Sequence, residues 1–492
     1  ATLIEFSVGN TAAPRGHFLL NPFSKDRTTV SSVTGIAVQS EDKRPEVLAF
    51  YAGRIWYLGV DSSQLNGHAF FSQVMLKPEL AGKCYQKSDP TAEQLSELLD
   101  DDGGVVVIPE ISKVVGAIVK GDTLIIFATN GVWAISGGTD AGFKATDFQV
   151  QRISTVGAIG RESIIDTEGF PVWWSKQGIY TLGPDQNSGR LLSQSLSLQT
   201  VETFYQDNIP TTSKQYARGI FDPANKRAIW LYNTTGPTGT TDRWKYNAAL
   251  VFDMSIGAFY PWKIESLTNN APYLIGTFNT QAIKTITNTE NVISVASGSD
   301  NIKTVSGDTV VVNQTPISGN TTFLQYLAII PNRTNATNNW TFCEFNNDSF
   351  FDWETVDGVG VDYKSYAETG YDLFGSLTKK QTPYAQFFFN KTETGVSDGT
   401  LLSPSSCFMQ SKWDWTDSGD TGKWSDLSQI YKLKRHFDDG IETDHKPGVT
   451  VITNEKRIRG HGKAVQFRFE SEAGYDFDLV GWQTFIDQHS NV

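Results

Sequence analysis

"FATNGVWAIS", residues 127–136, is the stretch from which this 492-residue chain is best read. Its centre, Asn130-Gly131, is the dipeptide a two-residue hairpin turn favours, because both central residues of a type I′ turn take positive φ. The flanks alternate bulky and small, as half-buried strands do. The stretch therefore reads as a β-hairpin with Asn130 and Gly131 at its tip.

The pattern recurs. "AGRIWYLG" (52–59), "NGVWAIS" (130–136), "QGIYTLG" (177–183) and "IGAFYPW" (256–262) each place a glycine before an aromatic at nearly constant offset: Trp56, Trp133, Tyr180 and Phe259. The apolar strands "VLAFY", "TLIIFA", "FPVWW" and "AALVF" precede them, and a fifth hairpin, "GIFDPANKRAIWLY", carries Trp230. Trp133 and Tyr180 are 47 residues apart and Tyr180 and Trp230 are 50 apart, the period of propeller blades, which run about 40 to 50 residues each. Trp133 is expected to pack between blades or against the next sheet. The interval of 77 residues from Trp56 to Trp133 needs an insertion. "SDPTAEQLSELLDDDGG" (88–104) supplies one, read as a short helix capped by Ser88 or Asp89, with Pro90 in its first turn and Leu95, Leu98 and Leu99 on its apolar face. The acidic run Asp100 to Asp102 reads as a solvated helix end, with a bound cation as the alternative.

Length and composition set the outer bounds. A chain this long exceeds what one simple core supports, so more than one domain is expected. Gly (43) and Pro (18) are at ordinary usage, which excludes a collagenous or broadly disordered chain. Cys84, Cys343 and Cys407 are odd in number and far apart, so a disulfide framework is not what holds the fold, and synthesis in a reducing compartment is expected. No apolar run reaches the roughly 18 residues of a membrane span, and the opening residues lack the basic start and apolar core of a signal peptide.

Net charge is −13. A protein that grips nucleic acid phosphates is normally basic, at least locally. The local exceptions are "KLKRH" (432–436) and "EKRIRGHGK" (455–463), read as exposed hairpin loops with a phosphate or partner contact as the alternative.

The chain is expected to divide at 1–265 (propeller blades), 266–340 (a Thr/Asn-rich β insertion or extended loops) and 341–492 (a β-sandwich, or strands that return to the propeller). Five Asn-x-Ser/Thr sequons fall in the middle segment, at Asn313, Asn320, Asn332, Asn335 and Asn339, as a Thr/Asn-rich stretch produces by chance. In the last segment "KAVQFRFESE" alternates, with Phe467 and Phe469 on one face and Gln466, Arg468 and Glu470 on the other.

The chemistry is mostly absence. No HExxH, Walker A loop, GxGxxG, CxxC or GxSxG occurs, and no catalytic, cofactor or metal residue is assigned. His436 and His445 in "HFDDGIETDH", and Asp414, Asp417 and Asp420 around glycines, are the arrangements a metal would find most usable, but a hairpin tip and a turn explain them. "SGDTGKW" (418–424) nearly matches the Asp-box turn of sialidase propellers, with its tryptophan one residue early and without repetition.

The order "VVVIPEISKVVGAIVKGDTLIIFATNGVWAISGG", then "FQVQRISTVGAIGRESIIDTEGFPVWWSKQGIYTL", then "MQSKWDWTDSGDTGKWS", "IYKLKR" and "RGHGKAVQFRFESEAGYDFDLVGW", resembles tail nozzle or hub proteins of short-tailed bacteriophages. The resemblance covers about Val105 to Leu182 and Met409 to Trp482. It implies a β-propeller platform carrying further β domains, six copies in a ring below portal and adaptor, and tail fibres or spikes as neighbours. It also implies a DNA exit channel through which the genome passes without sequence-specific binding, in a virion assembled from protein made in the host cytoplasm. It implies no enzyme and no cofactor. A sialidase-like enzyme and a generic propeller scaffold are the competing readings.

Overall fold

The structure, a computed structural model, describes residues 18–19, 45–60, 66–81, 83–84, 99–139, 142–184, 191–237, 239, 242–263, 273–283, 321–330, 341–344, 364–392, 395–397, 400–402, 405–414, 424–431, 436–438, 441–443 and 450–488. It is mainly β, with several four-stranded antiparallel sheets. The chain forms two compact units, Ala1–Ile264 with Asn270–Phe345, and Glu265–Asn269 with Asn346–Val492.

The first unit carries four sheets in which successive strands pair antiparallel, except that Lys83–Cys84, between the third and fourth strands of the first sheet, pairs with Phe18–Leu19 instead. The first holds Pro45–Tyr51, Arg54–Val60, His68–Phe71 and Gly104–Val107, and the second Val114–Lys120, Thr123–Ala128, Gly131–Gly137 and Phe148–Ser154. The third holds Val172–Trp174, Ile179–Pro184 and Leu191–Ser195, and the fourth Arg218–Asp222, Arg227–Tyr232, Ala248–Asp253 and Ala258–Lys263. The helices Glu202–Asn208 and Thr211–Tyr216 join the third to the fourth.

Why the strand "TLIIFA" is apolar without interruption follows from its place. Side chains alternate across a strand, so Leu124 and Ile126 face one way and Ile125 and Phe127 the other. The first pair shares a core with Val47, Trp56, Leu58 and Phe71 of the first sheet, where Trp133 and Ile135 also lie. The second pair shares a core with Trp173 and Leu182 of the third sheet. A third core joins Val172, Trp174 and Ile179 to Trp230, Leu250 and Phe252 of the fourth. The inner sheets are therefore buried on both faces and stack in sequence order.

Two expectations need correction here. Ala128 pairs with Gly131, so the hairpin tip is Thr129-Asn130, and neither of these nor Gly131 has positive φ. Gly131 is needed instead for close approach: a Cβ there would lie 2.7 Å from the Ser154 carbonyl oxygen. Asn130 spends its side chain tying the turn down, donating from Nδ2 to the Glu110 carbonyl (2.7 Å) and accepting at Oδ1 from the Ser112 amide (3.1 Å). Positive φ at both central residues occurs at Ala52-Gly53 in the first sheet, 50° and 69°. Second, the hairpins of Trp230 and Phe259 are halves of a single four-stranded sheet, because Arg227–Tyr232 pairs with Ala248–Asp253.

Of the helix expected over 88–104, residues 88–98 lie outside the described residues; Asp100 and Asp101 form a turn and Gly104 opens a strand. In the segment expected as an insertion at 266–340, Tyr273–Ile283 and Thr321–Ile330 pair antiparallel, and Thr341–Glu344 adds a third strand that carries this sheet past residue 340. It meets the fourth sheet through Tyr246, which exchanges backbone hydrogen bonds of 2.8 and 2.9 Å with Leu274.

The second unit is a two-sheet sandwich. One sheet runs Tyr366–Glu368, Val465–Glu470, Phe408–Trp413, Ser428–Gln429; the other centres on Lys380–Asn390, flanked by Val451–Arg457 with His461–Gly462 on one side and by Asp478–Gln488 on the other. Phe387 and Phe389 of one sheet meet Met409, Phe467 and Phe469 of the other in a shared core, as alternating strands allow. Phe467 and Phe469 point inward, while Gln466, Arg468 and Glu470 are only half-buried.

Candidate functional site

In the first unit, a cleft of about 480 Å³ opens where the second and third sheets meet the helix Thr211–Tyr216. Its walls are Thr129, the crossing segment Thr155–Ile159, the turn Ser175–Gln177, and Thr211 with Gln215. The crossing segment is held tightly: a Cβ on Gly157 would stand 2.2 Å from the Ala128 carbonyl oxygen, and one on Gly160 2.2 Å from that of Gln215. Behind the Ser175 turn, Tyr205 donates its hydroxyl to the Ser175 carbonyl at 2.6 Å and stacks edge-on against Trp174. Lys214 lies buried over the Tyr205 ring, 4.1 Å from its centre, and burial pulls its ammonium below the usual lysine value. The lining mixes hydroxyls, amides and backbone with the apolar Val156, Ala158 and Ile159; Lys176 is its one charge and it holds no carboxylate.

Several carboxylates are bound to turns. Asp222 accepts from the amides of Ala224 (3.1 Å) and Asn225 (3.4 Å), and Asp253 from the amide of Ser255 (2.9 Å) and the guanidinium of Arg227 (3.4 Å). Burial pushes the Asp253 carboxyl upward, but the Ser255 amide and Arg227 outweigh it and hold it below the usual range. In the acidic run, Asp100 accepts from the Thr146 hydroxyl and pairs with Lys144 at 3.4 Å, which keeps its carboxyl low. Asp102 accepts from the Leu99 amide at 3.0 Å, and Arg54, buried over the rings of Phe71 and Phe143, donates to the Asp100 carbonyl. The run is a capped turn.

Asp414 has φ of 57° and accepts at Oδ1 from the Lys463 amide at 2.5 Å and the Ala464 amide at 3.4 Å. It closes a turn of the sandwich; Asp417, Asp420 and His445 lie outside the described residues, and His436 begins a short strand paired with Ile441–Thr443. Among the described residues no group of three or more His, Cys, Asp or Glu is placed to hold a metal ion. Trp424, the Asp-box tryptophan of the sequence reading, sits 5.1 Å from the ammonium of buried Lys412. Of the basic segments, 432–435 lie outside the described residues, and 455–463 is not a simple loop: Glu455 to Arg457 are strand, and His461-Gly462 pairs with Lys380-Gln381.

Sequence reasoning missed Lys380. It is wholly buried, and its ammonium donates to the carbonyls of Ser376, of Thr378 (3.2 Å) and of Lys463 (3.1 Å). Nothing in "TKKQTP" separates it from its exposed neighbour. Cys84 and Cys407 are free and buried, and burial pushes the Cys407 thiol up to about 12, which leaves it unreactive at neutral pH. No helix among the described residues is long and apolar enough to cross a membrane.

No family model and no curated protein matches the chain. Among solved structures it is similar to two variants of the Synechocystis apocarotenoid oxygenase. One has TM-score 0.27 and 7% identity over 68% of this chain and 71% of the other; the second has TM-score 0.23 and 8% identity over 64% and 77%. It is also similar to the N-terminal domain of Nup159, with TM-score 0.23 and 9% identity over 87% of this chain and 89% of that one. At these values the likenesses carry no argument about fold or activity.

Proposed function

We propose that the chain is a structural subunit of a bacteriophage tail, a nozzle or hub protein of the short-tailed type. Six copies ring the DNA exit channel below portal and adaptor, and the stacked sheets close into a β-propeller platform. Fibres, spikes or tip proteins attach around and below, and genomic DNA passes through without sequence-specific binding. The observation that supports this best is the serial stack: sheets joined through shared aromatic cores make a stiff body, as a conduit wall requires. The carboxylates bound into turns support it too, since they serve rigidity and not chemistry. The net charge of −13 suits a channel that must let phosphate slide past.

Electron microscopy of the purified protein tests the reading. A six-fold ring with a central hole of duplex width supports it; particles without a passage defeat it. Reversing acids that such a ring directs to its lumen to lysine is expected to leave assembly intact and slow DNA passage, because phosphate contacts then replace repulsion.

A further inference from the structure

The Lys380–Asn390 sheet of the second unit has two unlike edges. Asp478–Gln488 is an 11-residue strand that pairs with Lys380–Asn390 on one side and with nothing among the described residues on the other. Val480, Trp482 and Phe485 are 57%, 42% and 45% exposed along it. Long edges of this kind are usually guarded by charges, above all lysine, by proline or by bulges; this one has two register shifts against its partner and two aspartates but neither lysine nor proline. The opposite edge, Val451–Arg457, also pairs on one side only among the described residues, and it is charged.

The charges are complementary. Residues 450–463 hold Lys456, Arg457, Arg459 and Lys463 against the single Glu455, while residues 476–488 hold Asp476, Asp478 and Asp487 and no cation. None of these charges forms an ion pair among the described residues. In a chain whose overall balance is acidic, the basic edge of another copy is the surface that fits the acidic one.

We propose that Asp478–Gln488 of one copy pairs with Val451–Arg457 of the next, so that the sheet runs on between copies by strand addition. Both strands run antiparallel to Lys380–Asn390, hence in the same direction as each other. A copy added without turning over pairs them parallel and puts Asp487 at the same end of the sheet as Lys456 and Arg457, since Arg457 and Phe485 both pair with Tyr384. The contact is head-to-tail, so it closes into a ring where the rotation allows and otherwise extends. The proposal deepens the ring reading by naming a surface between subunits, and rests on that reading only for closure.

Sedimentation of the full chain over a range of concentrations tests it. Val480→Lys and Phe485→Lys put a cation on exposed positions of the apolar edge; each is expected to raise the concentration needed for assembly by about tenfold or more while leaving the unfolding temperature unchanged. Asp487→Lys alone and the pair Lys456→Glu with Arg457→Glu alone are each expected to weaken assembly. Mixed in equal amounts they are expected to restore it, because every acidic edge then meets a basic one on the other variant. Assembly unaffected by Val480→Lys and Phe485→Lys overturns the surface while leaving a ring standing. Wild type sedimenting as single chains at every concentration, or a mixture that does not recover, overturns it as well.

Discussion

Trp173 and Trp174 are consecutive in sequence and lie in different cores. Trp173 meets Phe127 of the second sheet, ring centres 5.3 Å apart, and Trp174 meets Trp230 of the fourth, 5.7 Å apart. One strand thus pins three sheets together, which is possible only because side chains alternate across it and a sheet lies on either side.

Trp174→Ala is expected to cost about 3 to 5 kcal/mol of stability, the usual penalty for deleting a buried aromatic, and Trp133→Ala a similar amount. Tyr180→Ala should cost less, since Tyr180 is only half-buried. Urea unfolding of the three variants checks the order; a Trp174→Ala loss below about 1 kcal/mol, within the ordinary range of point substitutions, counts against the shared core.

Lys380→Met keeps the length of the buried side chain and removes its ammonium, leaving the Ser376, Thr378 and Lys463 carbonyls without their donor. Unpaired buried groups cost about 1 to 3 kcal/mol each. Hydrogen exchange is the suited measurement: amides of Lys380–Asn390 should exchange faster in the variant, while those of Thr123–Ala128 keep the wild-type rate.

Stability should fall in alkali. Burial holds the Tyr51, Tyr232 and Tyr246 hydroxyls up at about 12, against about 10 in an unfolded chain. Their raised values favour the protonated, folded state. That contribution is complete below pH 10 and is lost as pH rises from 10 through 12, where the unfolded chain gives up protons first. Melting temperatures at pH 8 and pH 11, with tyrosine ionisation followed by absorbance, check this; an unchanged melting temperature together with phenols that titrate near 10 contradicts it.

The isolated protein is expected to bind duplex DNA negligibly at physiological salt. Duplex DNA carries one negative charge per roughly 1.7 Å, and the chain carries −13. Fluorescence anisotropy with a labelled duplex decides the matter: tight binding with a steep salt slope would contradict both the charge argument and the conduit.

Sequence alone determined the strands. The 47- and 50-residue spacing of Trp133, Tyr180 and Trp230 falls on three successive sheets, and the alternation at Phe467 and Phe469 reads directly as an inward face, because periodicity is a local property. Tertiary structure alone decided which of two equally apolar neighbours faces which sheet, that the Trp230 and Phe259 hairpins are one sheet, and that Gly131 is small for the sake of Ser154 and not for a turn. It also decided what the polar residues do. Asp222, Asp253 and Asp414 look like free acids and Lys380 like a surface cation until the chain folds, because their partners are mostly backbone amides and carbonyls, which every residue carries and no side-chain pattern marks.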